Sequence, residues 1–277
     1  MSDTKPEAEA ILRGLAGAEG EAIEIAEGAL ALAALDRPRV PFGRYRAHLE
    51  ELADGLRVAA EGAADLDGRV AALADTVYRL HGYAGDDKTY DDLQNANLMR
   101  VIDRRKGLPV ALAILCLHAG RAAGWDMAGL GFPGHFLIRL DHEGERAILD
   151  PFHGCLRQGP GELRALLKAM AGEDAELRPE HYAAVDDREV LLRLQNNIKL
   201  RRMQAGQTAS ALEALEHMLI FAPGRAELWW EAAALHAHQG NLRAAILAAE
   251  QVGDLSPDPE TRYRAAQLAQ QLAARLN

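Results

Sequence analysis

The apolar positions divide the chain into a helical first part, a short stretch of strand-like runs and a helical end. Residues 5–36 read as two helices, broken near Gly17–Gly20 and stopped by the two prolines of DRPRVP. Over 43–61, Tyr45, Leu49, Leu52 and Leu56 recur at helical spacing, and over 66–83 Val70, Leu73, Val77 and Leu80 do the same. The polar loop GYAGDDKTYDD leads into NANLMRVIDRRKG, a short amphipathic helix with Leu98, Val101 and Ile102 on one side and Gly107 as its expected end. Pro109 suits the first turn of a new helix, where its missing N–H costs nothing. VALAILCLHAGRAAG carries that helix to Gly124, and it is apolar almost all round, as a central buried helix must be.

Strands follow near 125–130, 135–140 and 146–150. His135 opens the run FLI, Asp150 closes the run AIL, and the polar DHEGE between them reads as a hairpin loop. Paired strands would bring this His and Asp within reach of each other. A His oriented by a carboxylate is half of a catalytic triad. A buried helix followed by a small antiparallel sheet is an α+β pattern.

Beyond Pro160 the chain reads as helical to its end, with a repeat. Gly206 and Gly240, Ala211 and Ala245, and Pro223 and Pro257 each recur at a spacing of 34. That is the tetratricopeptide period: Gly permits the tight turn between helices, Ala permits their close approach, and Pro ends the unit. Residues 258–276 then form a closing helix over the last apolar face. This register puts Trp229 on the inner packing face and turns Trp230 towards the concave side, with Asn196 at the equivalent concave position one unit earlier. Trp230, Asn196, Arg193 and His238 are the candidate protein-binding surface. The expected division is residues 1–39 as N-terminal helices, 40–177 as the α+β core and 178–277 as the repeats, with RPEHY at 178–182 as the joint.

A formal charge of −10 gives no electrostatic support to a nucleic-acid or anionic-membrane role. The basic runs RVIDRRKG and KLRR read as solvated helix faces. Two cysteines, Cys116 and Cys155, cannot build a disulfide framework and fit a reducing compartment. MSDTKPEAEA lacks the pattern of a signal peptide, and LPVALAILCL is too short to span a bilayer, so the expected location is cytoplasmic.

The order of helix, His strand and Asp strand resembles the transglutaminase-like, papain-related fold. More narrowly the chain resembles the SirB-one-type bacterial family, which joins such a core to C-terminal tetratricopeptide repeats. The resemblance rests on NLMRVIDRRKGLPVALAIL (97–115), GLGFPGHFLIR (129–139), ILDPFHG (148–154) and LLRLQNNIKL (191–200). It implies a Cys at the start of the central helix as nucleophile, with His135 as base and Asp150 as its orienter. The family's spacing places that Cys about fifteen residues before Gly124, and Pro109 stands there, flanked by Leu108 and Val110.

Cys116 lies two helical turns, about 10 Å, further along and reads as a core residue. Cys155 reads as a loop thiol open to solvent, the fallback nucleophile, although it approaches from the Asp side of the dyad. His135, Asp150, His153 and Cys155 match no closed zinc spacing, so neither a metal nor a cofactor is expected. The reading is a non-catalytic, pseudoenzyme core acting as a protein-interaction or regulatory scaffold, with a protein or peptide as partner. The alternative is a thiol-dependent hydrolase or acyltransferase using His135 and Asp150 with a Cys not yet placed; a third keeps the cleft as a non-covalent peptide site, with FPGHF as its aromatic wall.

Overall fold

The computed structural model describes residues 3–17 and 24–276; the break expected near Gly17–Gly20 lies largely outside them. The elements begin with α1 (Lys5–Gly17), α2 (Ile25–Leu35), α3 (Gly43–Ala60) and α4 (Leu66–Ala74). The helical pattern over 66–83 divides, because α4 passes into a π-helical turn at Asp75–Leu80. Such a turn adds a residue to the helical repeat and re-aims the side chains that follow. The short β1 (Ala84–Gly85) then pairs in parallel with β2 (Lys106–Gly107), on either side of α5 (Leu98–Arg104). It is Arg105, in the left-handed conformation at φ 58°, that ends α5, two residues before the expected Gly107.

The central helix α6 (Pro109–Ala122) begins at Pro109, and eleven of its residues are buried. Three strands follow, β3 (Asp126–Leu130), β4 (Leu137–His142) and β5 (Glu145–Asp150), each antiparallel to the next. The β4–β5 hairpin closes through Glu143 and Gly144, both at positive φ, the two-residue turn that matches the twist of the strands. Two small strands complete the sheet, β6 (Leu156–Arg157) and β7 (Ala184–Val185), giving the order β6-β5-β4-β3-β7.

The alternation of side chains along β3 explains how both faces of the sheet are covered. Met127 points to α6, where Gly120 leaves room for its sulfur. Leu130, three positions on, belongs to the opposite face and packs with Phe132, Leu137, Leu163 and Leu167, the last two from α7 (Pro160–Ala171). On its other sides α6 packs against α2 and α3. The architecture is therefore α+β, with helix, sheet and helix layered around one buried helix.

The remaining helices are α8 (Asp187–Gln204), α9 (Thr208–Phe221), α10 (Ala226–His238), α11 (Leu242–Leu255) and α12 (Pro259–Leu276). Gly206 at φ 71° and Gly240 at φ 77° make the turns before α9 and α11. Ala211 and Ala245 are both completely buried, so the 34-residue spacing corresponds to equivalent turns and equivalent close contacts. This C-terminal region is compatible with helical repeats.

The chain forms two compact units. One takes in residues up to Ile11 and residues 24–194; the other takes in 12–17 and 195–276. The division lies inside α8, beyond RPEHY, because β7 pairs with β3 and Val190 packs beside Phe136 and Gly129. Among the described residues no helix is long and apolar enough to cross a membrane.

Because α6 is enclosed, shortening a side chain in it leaves a cavity. Leu115→Ala, at a fully buried position, is expected to lower stability by about 2–5 kcal/mol. Leu247→Ala, at a position 62% exposed, is expected to stay within about 0.5 kcal/mol of wild type. Chemical denaturation of the two variants measures the contrast.

Candidate functional site

Three side chains meet where β5 ends. Asp150 is the last residue of β5 and is 3% exposed. One of its carboxylate oxygens, Oδ1, accepts from His135 Nε2 at 3.0 Å and from the Phe152 backbone N–H at 2.9 Å. Its other oxygen, Oδ2, accepts from His153 Nδ1 at 2.8 Å. The two imidazole rings are stacked, with centroids 6.3 Å apart. Burial works to raise the Asp150 pKa, but the hydrogen bonds from the two histidines outweigh it and leave the carboxyl below its ordinary range.

His135 lies in a bend two residues before β4 rather than on the strand itself. Gly134, at φ 70°, makes the bend, and Arg193 Nη2 holds it by donating to the carbonyls of Phe132 and His135 at 3.2 and 3.1 Å. With Nε2 donating to Asp150, the proton-free nitrogen of a neutral His135 is Nδ1.

The segment after Asp150 is a tight turn, Pro151–His153, closed by Gly154 at φ 71° and Cys155 at φ 62°. The Cys155 backbone N–H returns to the Asp150 carbonyl at 2.8 Å, and Tyr78, from the π-helical turn, donates to the Pro151 carbonyl at 2.6 Å. Phe152 packs edge-on against Tyr90, His135 and His153. Gly85 passes so close that a Cβ there would lie 2.6 Å from the Phe152 carbonyl oxygen. Only a residue without a side chain fits.

Cys155 is not the exposed loop thiol expected. It is 2% exposed, with Sγ 3.7 Å from Cys116 Sγ and 3.7 Å from the Tyr78 hydroxyl. The left-handed backbone at Gly154 and Cys155 folds the side chain inward, a reversal that local composition does not show. The hydrogen bond with Cys116, together with burial, pushes the Cys155 thiol well above the usual range. Cys116 is completely buried, as expected of a core residue.

The start of α6 holds no thiol either: Leu108 precedes the helix, Pro109 opens it and Val110 follows, all three buried. This start is fixed from below. The Leu108 N–H donates to the Asn95 carbonyl at 2.9 Å, and Arg104 links the Asn95 side chain to Asp86 at 2.9 Å each. Asp86, itself buried, is held down to about 2, chiefly by its hydrogen bond from the Thr89 hydroxyl.

The candidate binding residues separate between the units. Arg193 belongs to the first unit and spends its charge on the His135 bend. Trp230, Asn196 and His238 belong to the second. Trp230 is half-buried and lines a groove of about 530 Å³ with Glu227, Glu231, Val252, Pro257 and Arg264. The Arg264 guanidinium lies over its ring, 5.4 Å from the centroid. Asn196 and His238 do not line this groove. The neighbouring Trp229 is tied down through its indole N–H, which donates to the Pro223 carbonyl at 2.7 Å.

Comparison with known proteins bears on this geometry. A model of the transglutaminase-like superfamily matches residues 43–196. A UPF0162 protein of Vibrio cholerae is 32% identical over 204 residues, which is 73% of this chain and 75% of that protein. Protein SirB1 of Salmonella typhimurium is 28% identical over 127 residues, 46% of this chain and 47% of its own length. The mouse F-box only protein 21 is 27% identical over 177 residues, 61% of this chain but 28% of that much longer protein.

A carboxylate held below its ordinary pKa stabilises the fold fully above the unfolded value, about pH 4, and that contribution disappears as pH falls through the folded value. Asp150→Asn is therefore expected to be less stable than wild type at neutral pH and to lose less on acidification. Urea titrations of both proteins at neutral and acidic pH measure this. Equal acid sensitivity would show that the Asp150 pairs add nothing to stability.

Proposed function

The chain belongs to the transglutaminase-like superfamily, within the SirB-one-type family, and we propose that its core is a non-catalytic member working as a protein-interaction or regulatory scaffold. The observation that carries this reading is the place of the two sulfurs. A thiolate nucleophile needs a low pKa and an open approach to its base. Cys155 has a raised pKa and faces Cys116 and Tyr78, inside the protein. Pro109 occupies the helix start, where a thiol would gain from the helix dipole. The His135–Asp150 pair then serves as architecture: it ties the bend before β4 to the end of β5.

The partner in this reading is a protein or peptide, and the Trp230 groove is its contact. A half-exposed indole beside a guanidinium offers the kind of anchor that dominates protein interfaces. Part of this chain is also similar to a stretch of the longer F-box only protein, which fits a module that serves assembly. The two-cysteine composition fits a cytoplasmic setting. The rival reading, a thiol hydrolase or acyltransferase, requires Cys155 to leave its packed position and reach His135.

Alkylation separates the two. Treated with iodoacetamide at neutral pH, the folded protein is expected to keep both thiols unmodified, and His135→Ala to behave identically, with both thiols reacting only after denaturation. Rapid modification of Cys155 that His135→Ala abolishes would establish the enzyme reading instead. For the partner surface, Trp230→Ala is expected to recover less of the bound protein than wild type in an affinity capture. Equal recovery would remove the groove from the proposal.

A further inference from the structure

We propose that His135, Asp150 and His153 form a binding site for one zinc-class divalent transition-metal ion. Their donor atoms, His135 Nε2, an Asp150 carboxylate oxygen and His153 Nδ1, all lie within 4.8 Å of one another. An ion bound at about 2.0–2.2 Å from nitrogen and oxygen donors holds adjacent donors about 3 Å apart. The nitrogen–oxygen separations here are 3.0 Å from His135 Nε2 to Oδ1 and 2.8 Å from His153 Nδ1 to Oδ2, so the carboxylate faces the ion's place with both oxygens. Both ring nitrogens already aim at the same carboxylate, so an ion replaces the two shared protons without a new backbone conformation.

The proton balance closes within the site. Each neutral imidazole carries one N–H. On binding, the His135 proton moves from Nε2 to Nδ1 and the His153 proton from Nδ1 to Nε2, through solvent, with no net release. His153 is 61% exposed, which gives both the ion and the exchanging proton a path.

The surroundings are rigid in the way a metal site requires. The Phe152 N–H orients the carboxylate from behind, Tyr78 and the Cys155 N–H fix the turn that carries His153, and Arg193 fixes the bend that carries His135. Two imidazoles and one carboxylate are a borderline donor set, which selects zinc, cobalt, nickel or ferrous iron over magnesium and calcium, and leaves coordination positions open. The sequence carries no closed ligand pattern because one donor comes from the far side of a hairpin. A second group of donors, His48, Glu51 and His81, is equally close together. There the Arg105 guanidinium bonds the His48 ring and puts a positive charge where the ion would sit.

This inference is independent of the scaffold reading, because it concerns the dyad and not the thiols. The test is titration of the full chain with cobalt(II) chloride, read by the visible absorption of the bound ion and by displacement with zinc chloride. Wild type is expected to take up one ion in competition with a weak chelator. Since loss of an outer-shell partner alone costs about 10–100-fold in affinity, His153→Ala and Asp150→Asn are expected to bind about 100-fold more weakly or worse. His153 is on the surface, so its removal leaves the fold in place, which circular dichroism verifies. No cobalt spectrum with wild type, or uptake unchanged in His153→Ala, overturns the proposal. Uptake that survives His153→Ala and vanishes in His81→Ala overturns it too, and assigns the ion to the other cluster.

Discussion

A helix with no polar face is stable only when it is surrounded, and α6 imposes that requirement on the whole first unit. Its fourteen residues include eleven buried ones, so helices must cover some sides and a sheet the others. The need explains why α2 is nearly all apolar, why Gly120 admits Met127, and why the sheet carries a second apolar face for α7. It also restricts the start of the helix. Leu108, Pro109 and Val110 are themselves buried, so the first turn of the helix is given to packing.

Around that helix, Asp150 does for polar groups what α6 does for apolar ones. A buried carboxylate is costly unless its oxygens are satisfied, and three donors from His135, His153 and the Phe152 backbone satisfy it. The donors come from two irregular segments, the bend that carries His135 and the turn Pro151–His153. One charge therefore organises the rim of the sheet. The residues that touch it less directly, Tyr78, Arg193 and Gly85, shape the same rim through backbone carbonyls or through the absence of a side chain.

The sequence made the large features legible through periodicity. The alternation in β4 and β5, with Glu143 and Gly144 between them, sets the hairpin register that leads Asp150 back towards His135. Pro109 marked the start of α6, and the 34-residue spacing anticipated matching turns at Gly206 and Gly240. Features with no period were not legible. β1, β2, β6 and β7 have two residues each, too few to alternate. The π-helical turn at 75–80 is likewise silent in the pattern: Val77 is buried as its spacing has it, whereas Leu80, past the turn, is 72% exposed. At the site, the His–Asp pair was visible as two ends of a hairpin, while the inward turn of Cys155 depends on positive φ at a non-glycine residue, which few sequences announce. Arg193 illustrates the same limit: from spacing alone it faced a partner, whereas folding gives it two carbonyls of its own unit.

The position of the sulfurs follows from the same economy of space. The turn that brings His153 back to Asp150 must reverse the chain within a few residues, and the left-handed pair Gly154–Cys155 does so. That reversal sends the Cys155 side chain into the interior, where it meets Cys116 Sγ and the Tyr78 hydroxyl. A small, soft, weakly hydrogen-bonding side chain suits such a place better than a larger or more polar one. The geometry that completes the His–Asp–His cluster is thus the geometry that takes the thiol away from it.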